Sequence, residues 1–310
     1  MTVAGAFLPR RGPALSRASD RLFEVDPGTQ LLARCHWQRA PRQSPTLAVV
    51  HGLEGSSESG YMRGLAARAF AAGFNVLRIN QRNCGNTERL TPTLYNSGLS
   101  ADFRAILCEL IERDALPRIF FAGFSMGGNL VLKMAGELGT AAPVELRGVC
   151  AVCPTLDLPA CVDALEGPGN WLYQRHFVRR LKSRMRRKAR LFPGKFDLSR
   201  LDRVRTVRQF DDAITAPHCG YRDAVDYYHR ASAGRVVGRI AVPTLILTAK
   251  DDPVVPFASF SAPEIAHNPH IALVAPDRGG HCAFISNSSG PERFWAEARL
   301  LDFCLAHAST

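Results

Sequence analysis

Five short runs, "TLAVV", "FNVLRI", "RIFFAGF", "LRGVCAV" and "PTLILT", are dominated by apolar residues on both alternating faces. A strand that buries one face alternates apolar with polar, whereas one that is apolar throughout is covered on both. Stretches of helical spacing separate them, such as Tyr61 to Ala72, which stops at Gly73, and "LSADFRAILCELIERD". Strand alternating with helix in this way predicts an α/β fold, a mostly parallel sheet with helices on both faces. "RLFEVDPGTQLLARCHW" adds an opening hairpin turned at Asp26-Pro27-Gly28, and "HIALVAP" and "ERFWAEARLLDFCLAH" add a late strand and a closing helix. Between Pro154 and Ile240 the rhythm gives way to a long Arg-rich helical stretch. The expected organisation is a core of residues 20–154 and 240–310, a basic helical lid at 155–239, and an N-terminal segment at 1–19.

Within that frame "FAGFSMGGNL" gains meaning. Ser125 lies between a strand and a helix, flanked by Gly123 and Gly127, where a nucleophile elbow would stand. A serine hydroxyl needs a base, and the base needs an acid to orient it. In this architecture they follow in the order serine, acid, histidine. "LILTAKDDPVVP" supplies the acid and "APDRGGHCAF" supplies His281. Spacing after the strand, counted from Ala249 in the place of a glycine, favours Asp252; Asp251 then caps backbone donors in the loop. His51, in "VVHGLEGSS", ends a strand where an oxyanion hole belongs, so it is read as shaping that loop. The N–H groups of Leu53 and Met126 would receive the oxyanion, at roughly 3 kcal/mol per donor. Such chemistry requires neither cofactor nor metal.

The formal net charge of +11 has one source. Residues 175–208 carry fourteen Lys and Arg against two Asp, a local net of +12. In "RHFVRRLKSRMRRKARLF", Phe177, Leu181 and Met185 share a face at i, i+4 spacing, a stripe expected to pack down over the site while the charges are solvated. A basic amphipathic helix also suits an anionic membrane surface. Nucleic acid is not expected, because no aromatic residues interleave as stacking platforms. Trp171 and Tyr173 offer apolar surface either to an acyl pocket or to the core of the lid itself.

Nine scattered cysteines, several in apolar runs, fit a reducing compartment. Cys150 and Cys153 form a C-x-x-C that could be a redox or zinc pair; its place in a buried strand favours a structural reading. No run has the length of a signal peptide or a membrane span, so a soluble, cytoplasmic protein is expected.

The stretches "HGLEGSS", "NQRNCGNTERLTPTLYNSGLSADF", "GFSMGGNLVLKMAGE", "TVRQFDDAITAPHCGYRDAVDYYHRAS", "IAVPTLILTAKDDPVVP" and "GGHCAF" resemble the YheT-type α/β-hydrolases. That family comprises bacterial predicted esterases, plant embryogenesis-associated proteins and animal acylglycerol lipases and phospholipases. The resemblance covers most of residues 20–305 and implies the triad Ser125, Asp252 and His281, with a lid over the site. Two departures stand out. Asn83 occupies the place of a usual glycine in "N-x-R-G", which implies a differently shaped loop, and the N-terminal membrane anchor of the animal relatives has no counterpart. Hydrolysis of a small-molecule or lipid ester is the expected activity; acyl transfer or thioester hydrolysis on the same triad and a non-catalytic membrane or partner adaptor using the basic lid are the alternatives.

Overall fold

The computed structural model describes residues 8, 10, 15–288 and 290–308, so most of the 1–19 segment lies outside the described residues. Eight strands form one sheet: β1 (Ser19–Asp26), β2 (Thr29–His36), β3 (Thr46–Val50), β4 (Asn75–Ile79), β5 (Ile119–Phe124), β6 (Leu146–Val152), β7 (Thr244–Leu247) and β8 (Ile271–Val274). Their order is β1-β2-β4-β3-β5-β6-β7-β8. β2 pairs antiparallel with both β1 and β4, and every pairing from β4 to β8 is parallel.

The longer helices are α1 (Gly60–Ala71), α2 (Ser100–Glu112), α3 (Met126–Leu138), α4 (Leu158–Glu166), α5 (Trp171–Leu191), α6 (Ala224–Ala231) and α7 (Trp295–Ala308). Alternate residues of each central strand feed two separate cores. Ala48 and Val50 pack with Phe103, Ile106 and Leu110 of α2 and Leu130 and Met134 of α3. Leu47 and Val49 pack with Met62 and Leu65 of α1 and Leu300 and Cys304 of α7. Helices therefore cover both faces, as strands apolar throughout require.

Parallel pairing is what gathers the chemistry. Val50 stands beside Gly123, so the segments leaving β3 and β5 emerge side by side. β6 and β7 continue the same direction, Val152 beside Leu247, and the loops after β7 and β8 open on the same edge. Among the described residues, no strand lies between β6 and β7; that interval holds α4, α5, α6 and short turns. Asn129 of α3 ties its end down. Its amide donates to the carbonyls of Ser97 and Ala231, at 3.0 and 2.9 Å, and accepts from the Ala233 N–H at 2.8 Å.

Candidate active site

Ser125 sits at φ 53°, ψ −119°, a left-handed conformation that a residue with a side chain adopts only under constraint. Close approach on both sides supplies that constraint. A Cβ on Gly123 would run into the Gly127 carbonyl, and one on Gly127 would stand 2.5 Å from the Val50 carbonyl oxygen. Both glycines thus let α3 start tightly against β3 and β5. The Ser125 N–H donates to the Val152 carbonyl at 2.8 Å, fixing the turn to β6.

His281 Nε2 lies 2.9 Å from Ser125 Oγ, and His281 Nδ1 lies 2.9 Å from Asp252 Oδ2. The Asp252 carboxyl is fully buried, and its other oxygen accepts from the N–H groups of Val254 and Val255, at 2.8 and 3.0 Å. Burial pushes that carboxyl up, but the imidazole and the two amides outweigh it and hold it below its usual range. Burial likewise pulls the imidazole down, and the Asp252 charge and hydrogen bond reverse this, raising its proton affinity. Asp251 faces elsewhere, accepting from the Gly279 and Gly280 N–H groups, both at 2.7 Å, in the loop that presents His281.

The loop after β3 passes directly over the serine, since a Cβ on Gly52 would meet Ser125 Cβ at 3.1 Å. His51 is wholly buried beneath it. Burial lowers its pKa to about 4, so the ring is neutral. Nδ1–H donates to the Gly52 carbonyl at 2.8 Å and Nε2 accepts from the Gln81 N–H at 3.1 Å. With both nitrogens committed to backbone, His51 braces the loop. The Leu53 N–H has no acceptor among the described residues, and the Met126 N–H, at the first position of α3, has none within its helix.

Sequence reasoning passed over the next residue, Glu54, which is buried at φ 58°. Its carboxylate pairs with Arg184 of α5 and accepts from the Tyr95 hydroxyl at 2.9 Å, while the Arg180 guanidinium donates to its carbonyl at 2.8 Å. The Arg184 guanidinium lies 3.9 Å above the Tyr95 ring. Lys188, also buried, donates to the carbonyls of Glu88 and Thr91, and burial lowers its pKa to about 8. This corrects the expectation that the charges of the basic helix are solvated. Several anchor the helix to the core, because its inward face meets buried carboxylates and carbonyls.

A small cavity of about 90 Å³ opens beside Ser125 and His281. Leu53, Leu158, Val162, Phe177, Leu181 and Phe210 make it mostly apolar, with Asp211, Tyr228 and Thr215 as a polar corner. Trp171 and Tyr173 are absent from its lining, a correction to the pocket reading. The inward face of α5 runs through Gln174, Val178, Leu181 and Met185, so Trp171, 56% exposed, borders an outer groove, and Tyr173 packs into the core between α5 and its neighbours. Phe177 and Leu181 from the predicted stripe take the place over the serine, while Met185 lies further along beside Leu94 and Tyr95. Asn83 adopts φ 65°, a left-handed conformation that asparagine tolerates better than most residues with a side chain.

A model of the alpha/beta hydrolase fold family matches residues 45–288. The Escherichia coli protein YheT is 34% identical over 272 residues, covering 86% of this chain and 79% of its own. Mouse phospholipase ABHD3 is 29% identical over 242 residues, covering 78% of this chain but 58% of its own; the monoacylglycerol lipase of Saccharomyces cerevisiae is 29% identical, covering 82% and 57%. The chain thus spans little more than half the length of the mouse and yeast relatives. Among solved structures, Est1E from Butyrivibrio proteoclasticus superposes with a TM-score of 0.60 at 17% identity, covering 94% of this chain and all of its own. The Pyrococcus furiosus esterase Pf2001 does so with a TM-score of 0.63 at 16% identity, covering 97% and 100%; both share the fold.

Proposed function

The chain belongs to the α/β-hydrolase family, in its YheT-type branch, and on that premise we propose that it hydrolyses carboxylic esters through Ser125, His281 and Asp252. The observation that carries the reading is the continuous hydrogen-bonded chain from Ser125 Oγ through His281 to Asp252, opening into an apolar cavity. Relatives named phospholipase and monoacylglycerol lipase support ester chemistry.

In the reaction, Ser125 Oγ attacks the ester carbonyl carbon as His281 Nε2 takes its proton. Asp252 keeps Nδ1 protonated and stabilises the imidazolium. The Leu53 and Met126 N–H groups receive the oxyanion. Collapse of the tetrahedral intermediate expels the alcohol with the proton from His281, leaving an acyl-enzyme on Ser125. Water, deprotonated by His281, then releases the acid. Residues 155–239 act as a lid: Phe177 and Leu181 roof the acyl group, and the size of the cavity suits a short chain unless α5 moves.

Intact-mass detection of a fluorophosphonate adduct on the wild type and on Ser125→Ala, with turnover of p-nitrophenyl esters from acetate to palmitate, tests this. One adduct lost in the variant, and turnover that falls with chain length, are expected. An adduct retained by Ser125→Ala overturns the assignment of the nucleophile. Added alcohol or thiol acceptors separate hydrolysis from acyl transfer by the products formed.

A further inference from the structure

Cys153, at the end of β6, and Cys282, next to His281, both adopt left-handed backbone conformations, φ 44° and 58°. Neither is a glycine, so each conformation is maintained against a steric penalty of about 1–3 kcal/mol by its surroundings. Between them they bring two thiols to the catalytic imidazole. One ligand atom from each of Cys153, His281 and Cys282 lies within 4.8 Å of the other two. The Cys282 N–H points at Cys153 Sγ from 3.3 Å, a dipole that opposes the burial pushing that thiol's pKa well up. The C-x-x-C readable in the sequence is not this pair: the Cys150 sulfur lies 4.0 Å from that of Cys304.

We propose that Cys153, Cys282 and His281 form a site for a thiophilic divalent cation, with zinc as its representative, and that filling the site switches the serine off. Bonds of about 2.3 Å to sulfur and about 2.0 Å to nitrogen place tetrahedral ligand atoms roughly 3.5–3.8 Å apart, so an inward shift of about 1 Å suffices. Both thiols release their protons to solvent on binding, and two thiolates with a neutral imidazole balance the charge of the cation. Asp252 on Nδ1 is the outer carboxylate that histidine ligands commonly have. Either ring nitrogen taken by the cation breaks a catalytic bond: Nε2 gives up Ser125, and Nδ1 gives up Asp252. Half-buried Cys282 and the partly open imidazole give the cation entry, while Cys153 closes the site from within.

The binding claim stands apart from the hydrolase reading, and only the inhibition claim rests on it. All proteins for the test carry Cys108→Ser, because that thiol is exposed and would bind cations on its own. Cadmium is titrated into the otherwise wild-type chain, Ser125→Ala, Cys282→Ser and Cys153→Ser/Cys282→Ser, following thiolate-to-metal charge-transfer absorption. One equivalent saturates the first two, and at least a tenfold weaker response is expected without Cys282. Zinc is then titrated against p-nitrophenyl acetate turnover; chelator restores it, and half-inhibition requires at least tenfold more zinc in Cys282→Ser. An absorption change equal in all four proteins overturns the site. Binding with undiminished turnover overturns the switch, and inactivity of the untreated protein speaks against the hydrolase reading alone.

Discussion

Two adjacent carboxylates carry different tasks, and the difference is measurable. In the proposed mechanism Asp252 orients the imidazole and stabilises its charge, so Asp252→Asn is expected to lower kcat about ten-thousandfold with folding intact. Asp251 holds the Gly279 and Gly280 amides, so Asp251→Ala leaves two N–H groups without their acceptor. That variant should lose about 1–3 kcal/mol of stability in urea denaturation and far less of its turnover. Equal losses of kcat would mean that the two roles are wrongly divided. Asp211, in the polar corner of the cavity, provides a pH test. Burial raises its pKa to about 6, against hydrogen bonds from Thr215 at 2.7 Å and Tyr228 at 2.8 Å that pull it down. Below about pH 4 it is protonated in both folded and unfolded chains, but between about 4 and 6 the unfolded chain ionises first. Stability therefore falls as pH rises through that window, by on the order of 2 kcal/mol once partial exposure is allowed for. Asp211→Asn lacks the titration, so the wild type should lose stability relative to it from pH 4 to 6; parallel curves would refute this.

At the scale of elements, α5 and the loop after β3 form one unit joined by Glu54, Arg184 and Tyr95. Removing one member of a buried pair leaves the other charge unsolvated, at about 3–5 kcal/mol. Arg184→Met should lose that much in urea denaturation, and kcat should fall with it, since Glu54 directly follows the Leu53 amide. Glu54→Gln/Arg184→Met should regain most of the stability, because no charge is left stranded; a double variant as unstable as the single would mean that packing over Tyr95 dominates. The sequence made α5 legible as a helix and showed its apolar stripe, because helical spacing is a local signal. Its partners were not legible: Glu54 lies 130 residues before Arg184 and Glu88 lies 100 before Lys188, and nothing near Arg184 or Lys188 marks them as buried. The same limit explains Trp171 and Tyr173, whose place on the helix was readable and whose facing was not. By contrast, that Ser125, His281 and Asp252 come within hydrogen-bond distance of one another was readable, because each stands at a fixed distance from the end of its own strand, and parallel strands bring those ends together.

On the scale of the whole molecule, the charge is divided between inward anchors and an outward face. Arg180, Arg184, Arg187 and Lys188 are engaged with Glu54, Glu88 and nearby carbonyls. Trp171, Arg175, Arg179, Lys182 and Arg186 border an outer groove, with Leu172 exposed beside it. Among the described residues, no helix is long and apolar enough to cross a membrane. An aromatic and a leucine beside several arginines are nevertheless what an interfacial helix presents to an anionic bilayer, each basic group near the surface adding about 1 kcal/mol. The outward face is therefore expected to bind vesicles containing phosphatidylserine and to leave neutral ones alone. Arg175→Gln/Arg179→Gln should weaken that partitioning about thirtyfold in co-sedimentation, with p-nitrophenyl acetate turnover unchanged, because neither residue touches the cavity or the Glu54 network. Raising salt from 0.05 to 0.5 M should weaken wild-type binding more steeply than that of the variant, since screening acts on the charges it retains. Trp171→Ala should lower partitioning at every salt concentration, because the apolar contribution is not screened. Binding that ignores salt, or that survives in the double arginine variant, would leave the outward charges to solvent and the inward anchors as the one task of the charges on this helix.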